Sequence, residues 1–258
     1  MLKTMLQLLL LFLAMLQGAA AQGVSVSLSD NLIVIDDKRR SGAIDLVNLG
    51  EDPMEFSVTP AKDASSVVNS AEPILRWSPQ RTVAAAHRSV SLRVLARPPA
   101  NLPAGEYAFQ FNVTATAQRP QGNARVIEEG KAARDQLIAV SAPVVPVLPV
   151  LVYVRHGMKT PLVDIEPLTL TPDDKDSLGY FRVVKRTPNV GFVGQIQVVE
   201  RDSGTVLSSG RLHVGQKGAD AKVTMPRLFF PAQRASLFCL KLWSQFPGEG
   251  EPYAQLCD

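Results

Sequence analysis

The sequence has little of what usually carries chemistry. Among its 258 residues are only 3 histidines and 2 cysteines. His87, His156 and His213 stand at no metal-ligand spacing to one another, so a zinc-type site built on histidine is excluded. No G-x-S-x-G, Walker A or G-x-G-x-x-G pattern occurs, which removes the local signatures of a serine hydrolase, a P-loop NTPase and a dinucleotide-binding enzyme. Aromatic residues are 6% of the chain, too sparse for a stacking platform for bases. The net charge is +3, with no basic block, which argues against nucleic-acid binding. No segment sustains a 3.6-residue apolar period, so alternating β and α units are not expected.

What is present is a chain able to bury a core. Hydrophobic residues make up 46% and charged residues 20%, which argues against disorder. Residues 1–21 read as a secretory leader. Lys3 supplies the positive end, Met5 to Leu16 the apolar centre, and Ala19-Ala20-Ala21 a small-residue cleavage site, so cleavage is expected between Ala21 and Gln22. The apolar centre is shorter than the roughly 20 residues a membrane span needs, and no other span is expected once the leader is removed.

The remainder alternates with period two. Val90, Leu92 and Val94 face one way against Ser89, Ser91 and Arg93. Tyr107, Phe109, Phe111 and Val113 repeat the pattern against Ala108, Gln110, Asn112 and Thr114. Such segments are half-buried antiparallel strands. Further short strands are expected at Val24–Leu28, Leu32–Ile35, Ala43–Leu46, Met54–Val58, Leu75–Trp77, Tyr180–Lys185, Gln195–Glu200, Thr205–Ser208, Arg211–Val214 and Ala221–Met225. Asp202-Ser203-Gly204 reads as a hairpin turn, and Gln118 to Gln136 as a loop. Regular short strands with turns between them predict an all-β protein, with two immunoglobulin-like β-sandwich domains in tandem over 22–155 and 158–258.

Cys239 and Cys257 lie near the end of the chain, equidistant from Gly248. A hairpin centred on Pro247-Gly248-Glu249-Gly250 would face them across two strands, within disulfide reach. An oxidising compartment favours the bond.

The longest apolar run outside the leader is Ile138 to Gly157. It is rich in valine, carries Pro143, Pro146 and Pro149, and ends in Arg155-His156-Gly157. Arg-His-Gly after a valine-rich strand resembles the phosphate-binding motif of histidine phosphatases, where a nucleophilic imidazole sits beside a fixed cation. That superfamily is α/β with a helix after the motif. Here Thr160-Pro161 follows and strands lie downstream, so a domain junction is the better reading.

Several stretches resemble the periplasmic pilus-assembly (PapD-like) chaperone family. They are Ile44-Asp45-Leu46-Val47-Asn48 at the end of the opening strands, Ile74-Leu75-Arg76-Trp77-Ser78-Pro79, Leu102-Pro103-Ala104-Gly105-Glu106-Tyr107, and Leu148-Pro149-Val150-Leu151-Val152-Tyr153-Val154-Arg155. Their order and spacing cover most of the chain after the leader. The resemblance implies a non-catalytic protein of the periplasm without metal or cofactor. It implies pilus or surface-fibre subunits and an outer-membrane usher as partners, and the loan of an edge strand to an incomplete subunit. The candidate face on that strand is Val140, Ala142, Val144, Pro146 and Leu148, and Arg155 falls in the cleft between domains. The chain departs from the family where a basic pair should anchor the subunit's terminal carboxylate, because Leu32 and Leu151 occupy those positions. A secreted two-domain structural or adhesive β protein, without chaperone activity, is the alternative that this departure favours.

Overall fold

The structure is a computed structural model that describes residues 25–61, 68–118, 145–171, 174–226 and 238–257. Among these residues the first unit holds β1 (Val26–Leu28), β2 (Leu32–Asp36), β3 (Ser41–Asn48), β4 (Met54–Pro60), β5 (Leu75–Ser78), β6 (Arg81–Ala84), β7 (Ser89–Ala96), β8 (Gly105–Ala117) and β9 (Val147–His156). The second holds β10 (Val163–Ile165), β11 (Thr169–Leu170), β12 (Ser177–Lys185), β13 (Phe192–Glu200), β14 (Val206–Val214), β15 (Asp220–Pro226), β16 (Phe238–Trp243) and β17 (Ala254–Cys257). One 3-10 turn, Glu72–Ile74, precedes β5. No helix among the described residues is long and apolar enough to cross a membrane.

The expected alternation builds the first sandwich. One sheet runs β1-β3-β7-β5 and the other β2-β9-β8-β4-β6. Ile44, Leu46, Leu92 and Val94 from the first meet Phe56, Phe111, Val113, Val150, Val152 and Val154 from the second in one core. Period-two strands leave their odd and even positions on opposite faces, so each sheet keeps one apolar face inward. Asn48 is a buried polar residue of this unit. Its amide donates to the carbonyls of Asp52, Ala84 and Ala85 and accepts from Gly50 N, which ties two turns together.

The opening segment serves both sheets. β1 pairs antiparallel with β3, and β2 pairs parallel with β9. The switch occurs at Asp30, whose Oδ1 accepts from the N–H groups of Asn31 and Leu32 at 2.6 and 2.9 Å. A short aspartate side chain closing such a turn is a common way to redirect a strand.

In the second sandwich β12 pairs with β10 and β11 along one side and with β15 along the other, while the facing sheet runs β14-β13-β16-β17. Phe181, Val183, Phe192, Val198, Leu240 and Leu242 lie in its core. The last two strands place Cys239 opposite Cys257, as the hairpin arithmetic requires, and a disulfide joins them with Cα atoms 4.0 Å apart. The expected Asp202-Ser203-Gly204 turn is also found, with Gly204 at φ +69°.

Two expectations need correction. Thr205–Ser208 and Arg211–Val214 are one continuous strand, β14, because Gly210 stays in register opposite Ile196. β6 was not anticipated. Its four residues show too short an alternation to read alone, and it is held by pairing with β4. Most of the stretch read as a loop, from 119 onward, lies outside the described residues, as does the leader.

Candidate functional site: the open half of β9 and the cleft beside it

β9 has two halves. From Leu151 to Arg155 it lies between β2 and β8, with Leu32 opposite Leu151 and Asp36 opposite Arg155. From Val147 to Val150 it pairs with β8 alone. The hydrogen bonds fix which groups face the free side. Leu151 N–H donates to Asn31 O at 2.9 Å, while Pro146 O accepts from Ala115 N on β8. Backbone groups of odd-numbered residues therefore point away from β8, and those of even-numbered residues point toward it. No ladder partner meets Val147 or Pro149 on the free side among the described residues. That side offers the N–H and C=O of Val147 and the C=O of Pro149. Pro149 costs no bond to β8, since its nitrogen lies on the open side, where proline is tolerated in a sheet.

The same parity places the side chains. Val150, Val152 and Val154 enter the first core, and Leu148 packs against it. The exposed apolar side chains are Val145 and Val147, at 43% and 52% of full exposure. Of the expected subunit-binding face on even positions, Leu148 continues the parity of the core valines, packs against the core and also lines the cleft beside the strand, and Pro146 shares that parity and is half-buried. Val140, Ala142 and Val144 lie outside the described residues.

A cleft of about 570 Å³ opens beside this free edge. Its walls are the β1–β2 segment from Val26 to Asn31, Leu148 and Pro149 of β9, and Arg211 and Phe246 of the second sandwich. Arg211 is already engaged. Nη1 makes a short ion pair with Asp30, Nη2 donates to Asn31 Oδ1 at 2.8 Å, and the guanidinium carbon lies 5.7 Å from the Phe246 ring centroid. An adjoining recess shares Asp30, Arg211 and Phe246 with the cleft and is lined also by Leu32, Val193 and the exposed Arg39; Leu32 there packs with Tyr153, Ala108 and Val193, and Leu151 lies against this cluster. The two positions that the resemblance marks for a basic pair are neighbours in register, and their surroundings are apolar.

The junction between the sandwiches is polar and closed. Glu106, 2% exposed, is its hub. Its Oε2 accepts from Arg155 Nε at 3.0 Å, and its Oε1 accepts from Gly191 N at 2.6 Å and Gln216 Nε2 at 3.1 Å. Arg155 also donates to Gly191 O at 2.9 Å. Gly191 cannot be larger without movement, because a Cβ there would stand 2.7 to 2.9 Å from the Tyr153 ring. Gln216 accepts from Val68 N, and Lys185 Nζ donates to the carbonyls of Val190, Gly215 and Gln216. Burial pushes the Lys185 ammonium below the usual lysine range. Tyr153 Oη and His213 Nε2 share a hydrogen bond of 2.9 Å. Burial raises the Tyr153 phenol, and partial desolvation of its inner side, then Arg211, Arg155 and Lys185, lower the imidazole of His213, whose outer side is exposed.

The Arg-His-Gly motif belongs to this junction. Asp37 accepts from Gly157 N at 2.7 Å and meets His156 Nδ1 at 2.9 Å. The Gly157 bond and then His156 hold the Asp37 carboxyl below its ordinary range. Gly157 adopts φ +58°, the left-handed region that suits glycine. Arg155 thus sits in the interdomain region but is spent on Glu106 and Gly191. His156 and His213 do not meet each other and have separate partners. No group of three or more potential metal ligands occurs among the described residues. Sequence reasoning missed Arg211 and Phe246. Neither lies in a motif, and each reaches the cleft from the other sandwich.

No family model matches the chain, and no curated protein matches it. Solved structures do. The chain is similar in fold to several chaperones. The E. coli chaperone DraB aligns at 11% identity and TM-score 0.46, over 92% of this chain and 99% of that one. The SafB chaperone in complex with the SafA pilin of Salmonella enterica aligns at 13% and 0.46, over 93% and 99%. The YadV chaperone aligns at 12% and 0.42, over 90% and 99%.

Proposed function

We propose that this chain is a non-catalytic periplasmic chaperone that lends the open half of β9 to an incomplete β-sandwich subunit of a pilus or surface fibre. In this reading residues 1–21 direct export, 22–155 form the strand-lending domain, and 158–258 form the second. An outer-membrane usher would receive the complex. The observation that carries the reading is the free edge at Val147–Pro149, flanked by exposed Val145 and Val147 beside a cleft. Exposed apolar edges are a liability that soluble proteins normally blunt, so one kept beside a cleft calls for a partner. Backbone ladder bonds would supply affinity, and alternating side chains would set register.

The test is purification of the tagged protein from a periplasmic extract that contains fibre subunits. A one-to-one complex is expected with the wild-type chain and is lost with Val147→Asp, whose side chain is exposed and whose fold is undisturbed. Binding indifferent to Val147→Asp overturns the proposal. A second reading, a secreted structural or adhesive β protein, is favoured by the apolar residues at Leu32 and Leu151. It predicts no subunit complex at all.

A further inference from the structure

We infer that the cleft beside β9 selects an uncharged, apolar extended segment of its partner, and does not anchor a chain-terminal carboxylate. The inference rests on the strand-lending reading and adds the chemistry of what is bound.

The gap arises where the opening segment changes sheets. β1 stays with β3, and β2 joins β9 only from Leu151 onward. Between them, no described residue pairs with the outer side of Val147–Pro149, which leaves that edge open to one added strand. The backbone groups there fix its limits. An incoming strand can use the N–H and C=O of Val147 and the C=O of Pro149. It can go no further, because Leu151 N–H is already given to Asn31 O. The inter-chain ladder therefore ends at Pro149, at the mouth of the cleft.

Charge decides what can enter. The walls are apolar at Val26, Leu28, Leu148, Pro149 and Phe246, and between these lie the uncharged Ser27, Ser29 and Asn31. The cation among the lining residues is Arg211, and it is neutralised by Asp30 and spends its second terminal nitrogen on Asn31. A carboxylate arriving here would have to displace Asp30 from Arg211, and it would leave Asp30 without its cation, held only by the N–H groups of Asn31 and Leu32, in the same cleft. The adjoining recess behind Arg211, with Leu32 and Val193 in its walls, carries one further cation, the exposed Arg39, which does not line the cleft at the end of the ladder. Burying a charge without a partner is costly, whereas an apolar side chain seated against Leu148, Leu28 and Phe246 gains from leaving water. A neutral cleft is complementary to a neutral segment.

The experiment uses the full chain after leader removal and short synthetic peptides of alternating valine and threonine, with affinity read by fluorescence polarisation. One peptide is acetylated and amidated, a second keeps a free terminal carboxylate, and a third carries aspartate in place of alternate valines. The capped and free-carboxylate peptides are expected to bind within about threefold of each other, where a tenfold difference corresponds to about 1.4 kcal/mol. The aspartate peptide is expected not to bind. Val147→Pro, which removes a free-edge donor, and Phe246→Ala, which removes an exposed wall, should each weaken the capped peptide. A free-carboxylate peptide that binds tenfold or more tightly, with the advantage lost in Arg211→Gln, overturns the inference and leaves strand lending intact. Loss with Val147→Pro but none with Phe246→Ala likewise removes the cleft and spares the edge. Failure of every peptide to bind overturns strand lending and the inference together.

Discussion

The two halves of β9 are built from the same residue types and do opposite things. Val152 and Val154 lie in a closed core, flanked by β2 and β8, and the end of the strand is locked by Arg155 to Glu106 and Gly191. Val145 and Val147 are exposed, and among the described residues no strand pairs with the outer side of Val147–Pro149. Valine content cannot separate these halves. What separates them is where β2 begins, and that is set by the Asp30 turn that moves the opening segment from one sheet to the other. A rigid anchor and a free edge thus share one strand. The anchor holds the edge in place without covering it.

The comparison breaks most severely at Glu106. Glu106→Ala leaves Arg155 buried without its carboxylate and strips a bond from both Gly191 N and Gln216 Nε2. Removing one partner of a buried pair costs about 3–5 kcal/mol. Urea unfolding should show a loss of that size, and Glu106→Gln, which keeps an acceptor, should lose less. Gly191→Ala strikes the same anchor from the other sandwich. Its Cβ would meet the Tyr153 ring, so a loss of about 1–3 kcal/mol is expected from overpacking. An unchanged unfolding midpoint in both variants would show that the junction does not hold the strand.

The sharpest comparison uses one chemical change at two positions of one strand. Val152→Ala removes buried methyl groups from the first core and should cost about 1–3 kcal/mol. Val147→Ala removes the same atoms from an exposed position and should change stability by no more than about 0.5 kcal/mol. Equal losses would mean that the first half of β9 is packed in solution, and the free edge would not exist.

The sequence made the strands legible wherever period two ran long enough, as at Ser89–Val94 and Tyr107–Val113, and wherever turn chemistry was explicit, as at Asp202-Ser203-Gly204. The cysteine pairing was legible because a symmetric hairpin constrains it. Which face of β9 is exposed was not, because alternation gives two faces and only the tertiary neighbour says which is inside. Of the even positions, Leu148 packs against the core and lines the cleft, and Pro146 is half-buried. The junction was legible only as a motif. Glu106 stood in a recognisable strand entry, but its partners Gly191 and Gln216 lie far along the chain, and no local period points to them. Arg211 was hidden for the same reason. Leu32 and Leu151 were expected at the cleft, and they are register partners beside it.

The smallest expected effect concerns the bond between Tyr153 and His213, which ties the anchored half of β9 to β14. Partial desolvation of the inner side of His213, and then the cations Arg211, Arg155 and Lys185, hold its folded pKa below the ordinary imidazole value near 6.5. The unfolded chain therefore takes up a proton before the folded one does as pH falls. Stability from this group is complete above about pH 6.5 and is lost as pH drops through the folded pKa. His213→Gln keeps a polar side chain able to reach Tyr153 Oη and cannot titrate. Unfolding midpoints measured from pH 7.5 down to pH 5 should fall more steeply for the wild type than for His213→Gln, while Val147→Ala should follow the wild-type slope, since the open half does not touch this bond. Parallel slopes in wild type and His213→Gln would mean that the imidazole is free to protonate in the folded protein, and that the contact to β14 does not help to hold the anchored half.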